Sequence, residues 1–342
     1  MAEPSNPNSC VIIGAGISGL LATRELRDAG WQVTVLDKGR SVGGRMTTRR
    51  VGAGNFDYGA QFFTVRGERF DKLVNGWLKA GVVEEWTRGF ADAEGKPNED
   101  GHPRYRGAEG MASIPKHLAR DLNVKSGEWA MTVERESGGW KVVCESGLEA
   151  SGAALLLTPP VPQALDLFSS GDYELPEDTR RQLEEISYDP CIALMALLEG
   201  PTGVPTPGGV QIKGEPLDWI GDNQRKGISE VPGITIHAGP GWSRENFEAP
   251  DGELSESLLS LAGDQLGSNI APRVVETFLA RWRYSWVTNV HPEPYLVASE
   301  DPPLLFAGDA FEQPKVEGAA LSGLAAADYL LGRNCEACSC SG

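Results

Sequence analysis

The chain has 342 residues, 40% hydrophobic and 23% charged, an ordinary globular composition in a chain too long for one small domain. Its formal net charge of −17 argues against nucleic acid or an anionic membrane as partners, since both carry the same sign. No apolar run approaches transmembrane length, and the N-terminal residues lack the basic and apolar regions of a signal peptide, so a soluble, cytoplasmic protein is expected.

Residues 1–7 read as a flexible leader. Val11-Ile12-Ile13 then leads into Gly14-Ala15-Gly16-Ile17-Ser18-Gly19, a helical pattern follows, and a second apolar-alternating run ends in Asp37. A strand, a glycine turn, a helix, a strand and an acid in that order make a dinucleotide-binding unit. Gly14 permits the tight turn, Gly16 lets backbone N–H groups approach a pyrophosphate, and Gly19 lets the helix pack close to the strand. Ile17 and Ser18 open that helix, whose positive end faces the pyrophosphate. Asp37, with Lys38 beside it, accepts from the ribose hydroxyls and repels a 2′-phosphate. Gly43-Gly44-Arg45-Met46 follows directly, where an NAD enzyme would continue into its next helix. The glycine pair allows a second close backbone approach, and Arg45 supplies a cation for phosphate oxygens.

Further on, Gly59-Ala60-Gln61-Phe62-Phe63 forms a turn and an aromatic run, and residues 69–78 carry apolar positions at helical spacing. The turn-rich, charged residues 92–103 read as a surface loop. A helix is predicted over 114–122, then a β-meander over 129–134 and 140–145 around Gly138-Gly139, then a buried strand over 153–157 that ends at Thr158. From about residue 170 to 296 the composition shifts to β-rich runs (191–198, 209–213, 234–239 and 276–283) with one amphipathic helix over 254–266. That is the profile of an antiparallel sheet with helical cover. Residues 303–306 return to a buried strand, which leads to Gly308-Asp309 and a small-residue helix over 316–327 with Glu317, Gly318 and Ala319 in its first turn. A carboxylate at Asp309 can bind ribityl hydroxyls, and the helix N-terminus can stabilise negative charge on a flavin ring. Cofactor elements roughly 260 residues apart suit the long FAD molecule better than NAD.

The implied architecture is α/β: a discontinuous Rossmann-like FAD-binding domain (residues 8–66, 104–168 and 297–334) and an α+β substrate domain with an antiparallel sheet (67–103 and 169–296). Of the six cysteines, Cys10, Cys144 and Cys191 sit in apolar runs and read as buried thiols. Cys335, Cys338 and Cys340 lie in a second flexible tail, 335–342, without the fourth ligand a zinc site needs, and no metal is expected. No Ser-His-Asp or Cys-His arrangement, HExxH or paired-carboxylate spacing is visible, so the chemistry is expected to centre on the flavin, with no protein acid or base assigned. Candidates for the substrate wall are Gln61 and Phe62, His237 and Trp242 after one strand, and Trp282 and Tyr284 on another. Period-two alternation puts Trp282 and Tyr284 on one face, with Arg281 and Arg283 on the other.

The chain resembles the renalase group of the flavin amine oxidase superfamily. Besides the glycine motif with Asp37 and Gly44-Arg45, the resemblance rests on residues 56–64 (FDYGAQFFT), Tyr105-Arg106-Gly107, residues 157–163 (LTPPVPQ) and the Gly308-Asp309 … Glu317-Gly318-Ala319 ending. It implies an FAD domain like those of glutathione reductase and p-hydroxybenzoate hydroxylase, non-covalent FAD, and Ala130 beneath the adenine. It also implies oxidation of the 2- or 6-dihydro isomers of NAD(P)H, with electrons passing to dioxygen, or to a quinone, and hydrogen peroxide as product. The rival expectations are an amine oxidase or desaturase-like oxidase of the same superfamily, and an FAD-binding interaction protein.

Overall fold

A computed structural model describes residues 6–92, 94–169 and 173–332 of the chain; the Cys335, Cys338 and Cys340 tail lies outside them. Contacts divide the chain into two compact units, residues 1–44, 115–187 and 287–342 in the first and residues 45–114 and 188–286 in the second. The partition by packing therefore sets residues 45–66 and 104–114 in the second unit, whereas their motifs group them with the cofactor segments.

In chain order, β1 (Ser9–Ile13), α1 (Ile17–Asp28) and β2 (Gln32–Asp37) form the opening βαβ unit. A hairpin of β3 (Thr48–Val51) and β4 (Gly54–Asp57) precedes α2 (Glu68–Lys79), β5 (Val83–Ala91), β6 (Pro97–Gly107) and α3 (Ser113–Leu118). Next come β7 (Val124–Ser126), the meander β8 (Ala130–Glu136), β9 (Gly139–Cys144) and β10 (Glu149–Gly152), and the buried β11 (Ala154–Leu157). Helices α4 (Val161–Asp166) and α5 (Glu177–Glu184) lead to β12 (Ser187–Leu198), β13 (Gly209–Gln211), β14 (Leu217–Asp222) and β15 (Gly233–Ala238). Then follow α6 (Pro240–Glu245), α7 (Asp251–Leu266), β16 (Val274–Asn289), β17 (Leu296–Glu300), β18 (Pro303–Phe306) and α8 (Lys315–Leu330).

The first unit is built on a six-stranded sheet of order β17-β18-β11-β1-β2-β7. All of its pairs are parallel except β17 with β18. Every residue of β1 and β11 is buried, as a parallel sheet covered on both faces requires. Helices α1 and α8 pack at Gly323, where a Cβ would strike the Ser18 carbonyl oxygen, and α1 packs against the end of β1 at Gly19, where a Cβ would strike the Gly14 carbonyl oxygen.

In the second unit a seven-stranded sheet runs β16-β12-β15-β14-β13-β5-β6. Alternation gives it two faces. Ile192, Leu194 and Ala196 of β12, Ile234 and Ile236 of β15, Ile220 and Val210 form one face and pack against Leu254, Leu258 and Ala262 of α7. Each of these buried Ile, Leu and Val side chains stabilises the fold by roughly 1.5–3 kcal/mol. The opposite face carries Met195 and Leu197, which pack on Phe56 and Val51, and then Thr235, His237, Trp219, Gly221 and Gly209.

Two sequence expectations change. Residues 97–103, expected in a surface loop, belong to β6, which pairs with β5 through Ala91↔Pro97, Phe90↔Asn98 and Gly89↔Glu99. β6 is the sheet's edge, where proline, glycine and charge are tolerated because one side of the ladder is unpaired. The helix expected over 114–122 spans Ser113–Leu118 and ends in a turn in which Asp121 takes φ +63°.

Candidate active site

In the first unit, the end of β1 and the start of α1 make a cradle. Gly14 takes φ +104° and donates its N–H to the Leu36 carbonyl at 2.8 Å, while Thr158 Oγ1 donates to the Ile13 and Gly14 carbonyls at 2.9 and 3.1 Å. α1 begins after Gly16 with no side-chain cap and no acid in its first turn, so its N-terminal N–H groups are left for another acceptor. A Cβ on Gly16 would meet nothing within 4 Å, so the fold itself does not require glycine there. Ser18 Oγ is buried and has no hydrogen-bond partner among the described residues. Asp37 is pre-oriented: its Oδ2 accepts from Ala15 N–H at 2.6 Å and its Oδ1 from Gly39 N–H at 2.7 Å. Burial pushes the Asp37 carboxyl upward, opposed by those two N–H groups and by Lys38. Lys38 donates to Gln163 Oε1 at 3.0 Å and lies 5.7 Å over the exposed Trp129 ring.

Gly43 donates to the Ala15 carbonyl at 2.8 Å, and Gly44 takes φ +54°. Ala130, the first residue of β8, is buried. At the far end of the same unit, Gly308 (φ +140°) donates to Ser322 Oγ at 2.8 Å, and the half-buried Asp309 follows. Glu317, Gly318 and Ala319 lie in the first turn of α8, where a Cβ on Gly318 would strike the Gln313 carbonyl oxygen; that glycine serves packing. An uncapped helix end, a glycine facing open space, an unpartnered hydroxyl and a fixed carboxylate fit the pyrophosphate and ribose of a dinucleotide.

The second unit holds a buried polar network beside an aromatic wall. A Cβ on Gly59 would strike the Arg45 carbonyl oxygen, which accepts instead from Ala60 N–H at 2.8 Å. Arg45 itself, expected on phosphate oxygens, gives Nη1 to the Tyr284 and Ser285 carbonyls at 3.2 and 3.4 Å; Met46 is buried. The fully buried Asp57 and Lys226 pair at 2.7 Å. Asp57 Oδ1 also accepts from Thr48 Oγ1 at 2.5 Å and from Met111 N–H at 2.9 Å. Burial lowers the Lys226 ammonium from its ordinary range, and the Asp57 carboxylate opposes that shift. The Asp57 carbonyl accepts from Thr235 Oγ1 at 3.0 Å and from Gln61 Nε2 at 2.7 Å. Gln61 Nε2 in turn reaches His237 Nε2 at 3.4 Å. Burial pushes His237 down to about 4, with a backbone bond to Tyr58 opposing and Lys226 assisting, so the ring is neutral at pH 7.

Gln61 and His237 thus come together as expected, and Phe62 lies nearby, its ring 4.8 Å from Phe90 and 5.8 Å from Trp219. Trp282 stacks on Tyr58 at 5.2 Å and donates Nε1 to the Tyr58 carbonyl at 2.9 Å. Tyr284 packs edge-on against Tyr188. Trp242 does not join the group: it packs on the α7 side of the sheet, the face opposite His237. Trp219 and Lys226 were not apparent as site residues in the sequence. Trp219 sits in a short strand whose alternation is readable in Leu217-Asp218-Trp219-Ile220, whereas nothing local marks Lys226. Among the described residues, no group of three or more His, Cys, Asp or Glu side chains is arranged to hold a metal, and no helix is long and apolar enough to cross a membrane.

Residues 12–77 match the NAD(P)-binding Rossmann-like domain, and residues 68–331 match the flavin-containing amine oxidoreductases. The chain is 24% identical to renalase of Mus musculus over 318 residues, 85% of this chain and 92% of that protein. An L-amino-acid oxidase of Sistrurus catenatus edwardsii is 56% identical, but over 50 residues, 15% of this chain and 10% of that protein. A solved structure of a putrescine oxidase double mutant superposes with a TM-score of 0.72 at 16% identity, covering 95% of this chain and 99% of that one.

Proposed function

The chain belongs to the flavin-containing amine oxidoreductase family and is an FAD-dependent oxidoreductase, and from that premise we propose that it oxidises isomeric dihydronicotinamide dinucleotides, the 2- or 6-dihydro forms of NAD(P)H, with dioxygen or a quinone as final acceptor. The observation that carries this reading is the charge balance around Gln61 and His237. The fully buried carboxylate there, Asp57, is already matched by Lys226, and His237 is neutral. An amine substrate arrives as an ammonium, which needs an anion or an electron-rich cage to hold it and a base to deprotonate it. A dihydronicotinamide ring is neutral and becomes aromatic on losing hydride, with no proton to remove from a reacting nitrogen. A neutral, largely aromatic wall suits that donor. Similarity to renalase along nearly the whole of that protein supports the same reading.

Bound FAD supplies the hydride acceptor and passes the electrons onward. The open end of α1 and Asp37 hold its pyrophosphate and adenine-side ribose, Gly308 and Asp309 its ribityl segment, and Ala130 its adenine. Gln61, Phe62 and His237 receive the donor ring, and burial of His237 keeps the wall uncharged. The same reading puts the protein in the cytoplasm without nucleic-acid or membrane partners, in line with its net charge of −17.

The test is anaerobic. Isomerised NAD(P)H, ordinary NADH and a panel of amines are each added to the yellow protein, and flavin bleaching is followed. Rapid bleaching by the isomerised dinucleotides is the expected result. Bleaching by amines alone would establish the amine oxidase reading instead, and bleaching by no donor would point to an FAD-binding interaction protein.

A further inference from the structure

Trp219 and Gln61 bring an unmatched donor and an unmatched acceptor to one buried spot. In β14, Trp219 faces the side of the sheet that carries His237, its cross-strand partner. Its indole lies over two glycines that pair across β13 and β14, Gly209 and Gly221. A Cβ on Gly209 would strike the ring carbons, and one on Gly221 would come within 2.7 Å of Nε1. The sheet is cleared of side chains to seat the indole, yet Nε1 has no hydrogen-bond partner among the described residues, in a side chain only 4% exposed.

Gln61 is fixed from the other side. Its Nε2 donates to the Asp57 carbonyl at 2.7 Å and approaches the Gly59 carbonyl at 3.3 Å and His237 Nε2 at 3.4 Å. An amide whose nitrogen is surrounded by acceptors cannot be flipped without facing oxygen to oxygen, so the network turns Oε1 away from those carbonyls. Gln61 is 7% exposed, and Oε1 also lacks a partner. It lies 3.5 Å from the same Gly221 Cβ point that Trp219 Nε1 borders.

An N–H donor beside a carbonyl acceptor is the complement of a carboxamide. We infer that Trp219 and Gln61 clamp the carboxamide of the nicotinamide ring, its carbonyl oxygen accepting from Trp219 Nε1 and its NH2 donating to Gln61 Oε1. The inference rests on the dinucleotide reading above and extends it to the part of the donor that is recognised. An ammonium only donates, so it would set its charge against the Trp219 N–H. A carboxylate only accepts, so it would face Gln61 Oε1. Of these three ligand groups the neutral amide alone satisfies both, and buried polar groups left unmatched by the wrong ligand are the source of strong discrimination.

Calorimetric titration of the holoenzyme with NAD+, its 3-acetylpyridine analogue and its nicotinic acid analogue tests the clamp. The acetyl analogue keeps the carbonyl but lacks the NH2, and about tenfold weaker binding is expected; the acid analogue should bind about a hundredfold more weakly. Trp219→Phe should weaken NAD+ and the acetyl analogue by the same factor, about tenfold, because both use that donor. Gln61→Leu should weaken NAD+ alone and abolish the preference over the acetyl analogue. If Gln61→Leu fails to fold, the three ligands on the unaltered protein still decide. Equal affinities for all three, as expected if one water satisfies both groups, overturn the clamp, as does a lack of NAD+ binding. The bleaching test separates the two levels. Bleaching by isomerised NAD(P)H together with equal affinities removes the clamp alone, whereas no bleaching by any dihydronicotinamide removes the donor reading and the clamp with it.

Discussion

Adding one methyl group at Gly16 is expected to leave the apoprotein's stability unchanged, because a Cβ there meets nothing within 4 Å and φ is −75°, ordinary for alanine. The same Gly16→Ala change should weaken FAD binding about tenfold or more, since the space it fills is where a pyrophosphate approaches the helix end; flavin content after gel filtration reads this out. Lys226 behaves oppositely. Removing its ammonium by Lys226→Met strands the Asp57 carboxylate in the interior, and urea unfolding should show a loss of about 3–5 kcal/mol. A double variant that adds Asp57→Asn should recover part of that loss. His237 gives a pH signature. Its folded pKa of about 4 lies below the ordinary 6.5, so between those values the unfolded chain binds the extra proton. Stability present above pH 6.5 is therefore lost as the pH falls toward 4, by up to about 3 kcal/mol, and His237→Gln should flatten urea-midpoint curves across that window. The glycines and Asp37 were readable in the sequence because their roles are local and contiguous. Gln61 and His237 are readable as candidates for one wall, but the addition of Trp219 and Lys226 is not, because it depends on pairings between segments more than 150 residues apart, such as Lys226 with Asp57.

The sheet of the second unit shows why elements are harder to read than motifs. Its central strands are buried on both faces, so the second half of β12 runs apolar without a polar alternation, and only the register assigns Leu194 to the α7 side and Met195 to the other. β6 escaped detection for the converse reason: an edge strand tolerates the turn-forming residues that elsewhere announce a loop. The sequence predicts α1 and α8 as two helices but not their contact, since Gly323 acquires its purpose only when the Ser18 backbone of α1 arrives, whereas the role of Gly19 against the strand end is local and readable. Gly323→Ala should force the two helices apart and destabilise the protein by about 1–3 kcal/mol, measured by urea unfolding of the apoprotein. Comparing it with Gly16→Ala separates a glycine that packing demands from one that ligand approach demands.

Because FAD binds the folded protein and not the unfolded chain, cofactor and stability are linked. At free FAD a thousandfold above its dissociation constant, unfolding should cost about 4 kcal/mol more than in the apoprotein, and the melting temperature should rise with FAD concentration. The absence of such a rise would show that the first unit is not a cofactor scaffold. The composition of the chain conveyed two bodies and an acidic surface, but not which residues pack with which. The first unit draws β1 and β2, then β11, then β18 and α8 from widely separated stretches of the chain. This order has a consequence during synthesis. β1 leaves the ribosome roughly 290 residues before β18, which at common elongation rates is about 15–60 s. Throughout that interval the buried face of α1, including Leu20, Leu21 and Leu26, has no α8 to cover it. The nascent chain therefore presents an apolar stripe for chaperones to hold until nearly the whole polypeptide has emerged.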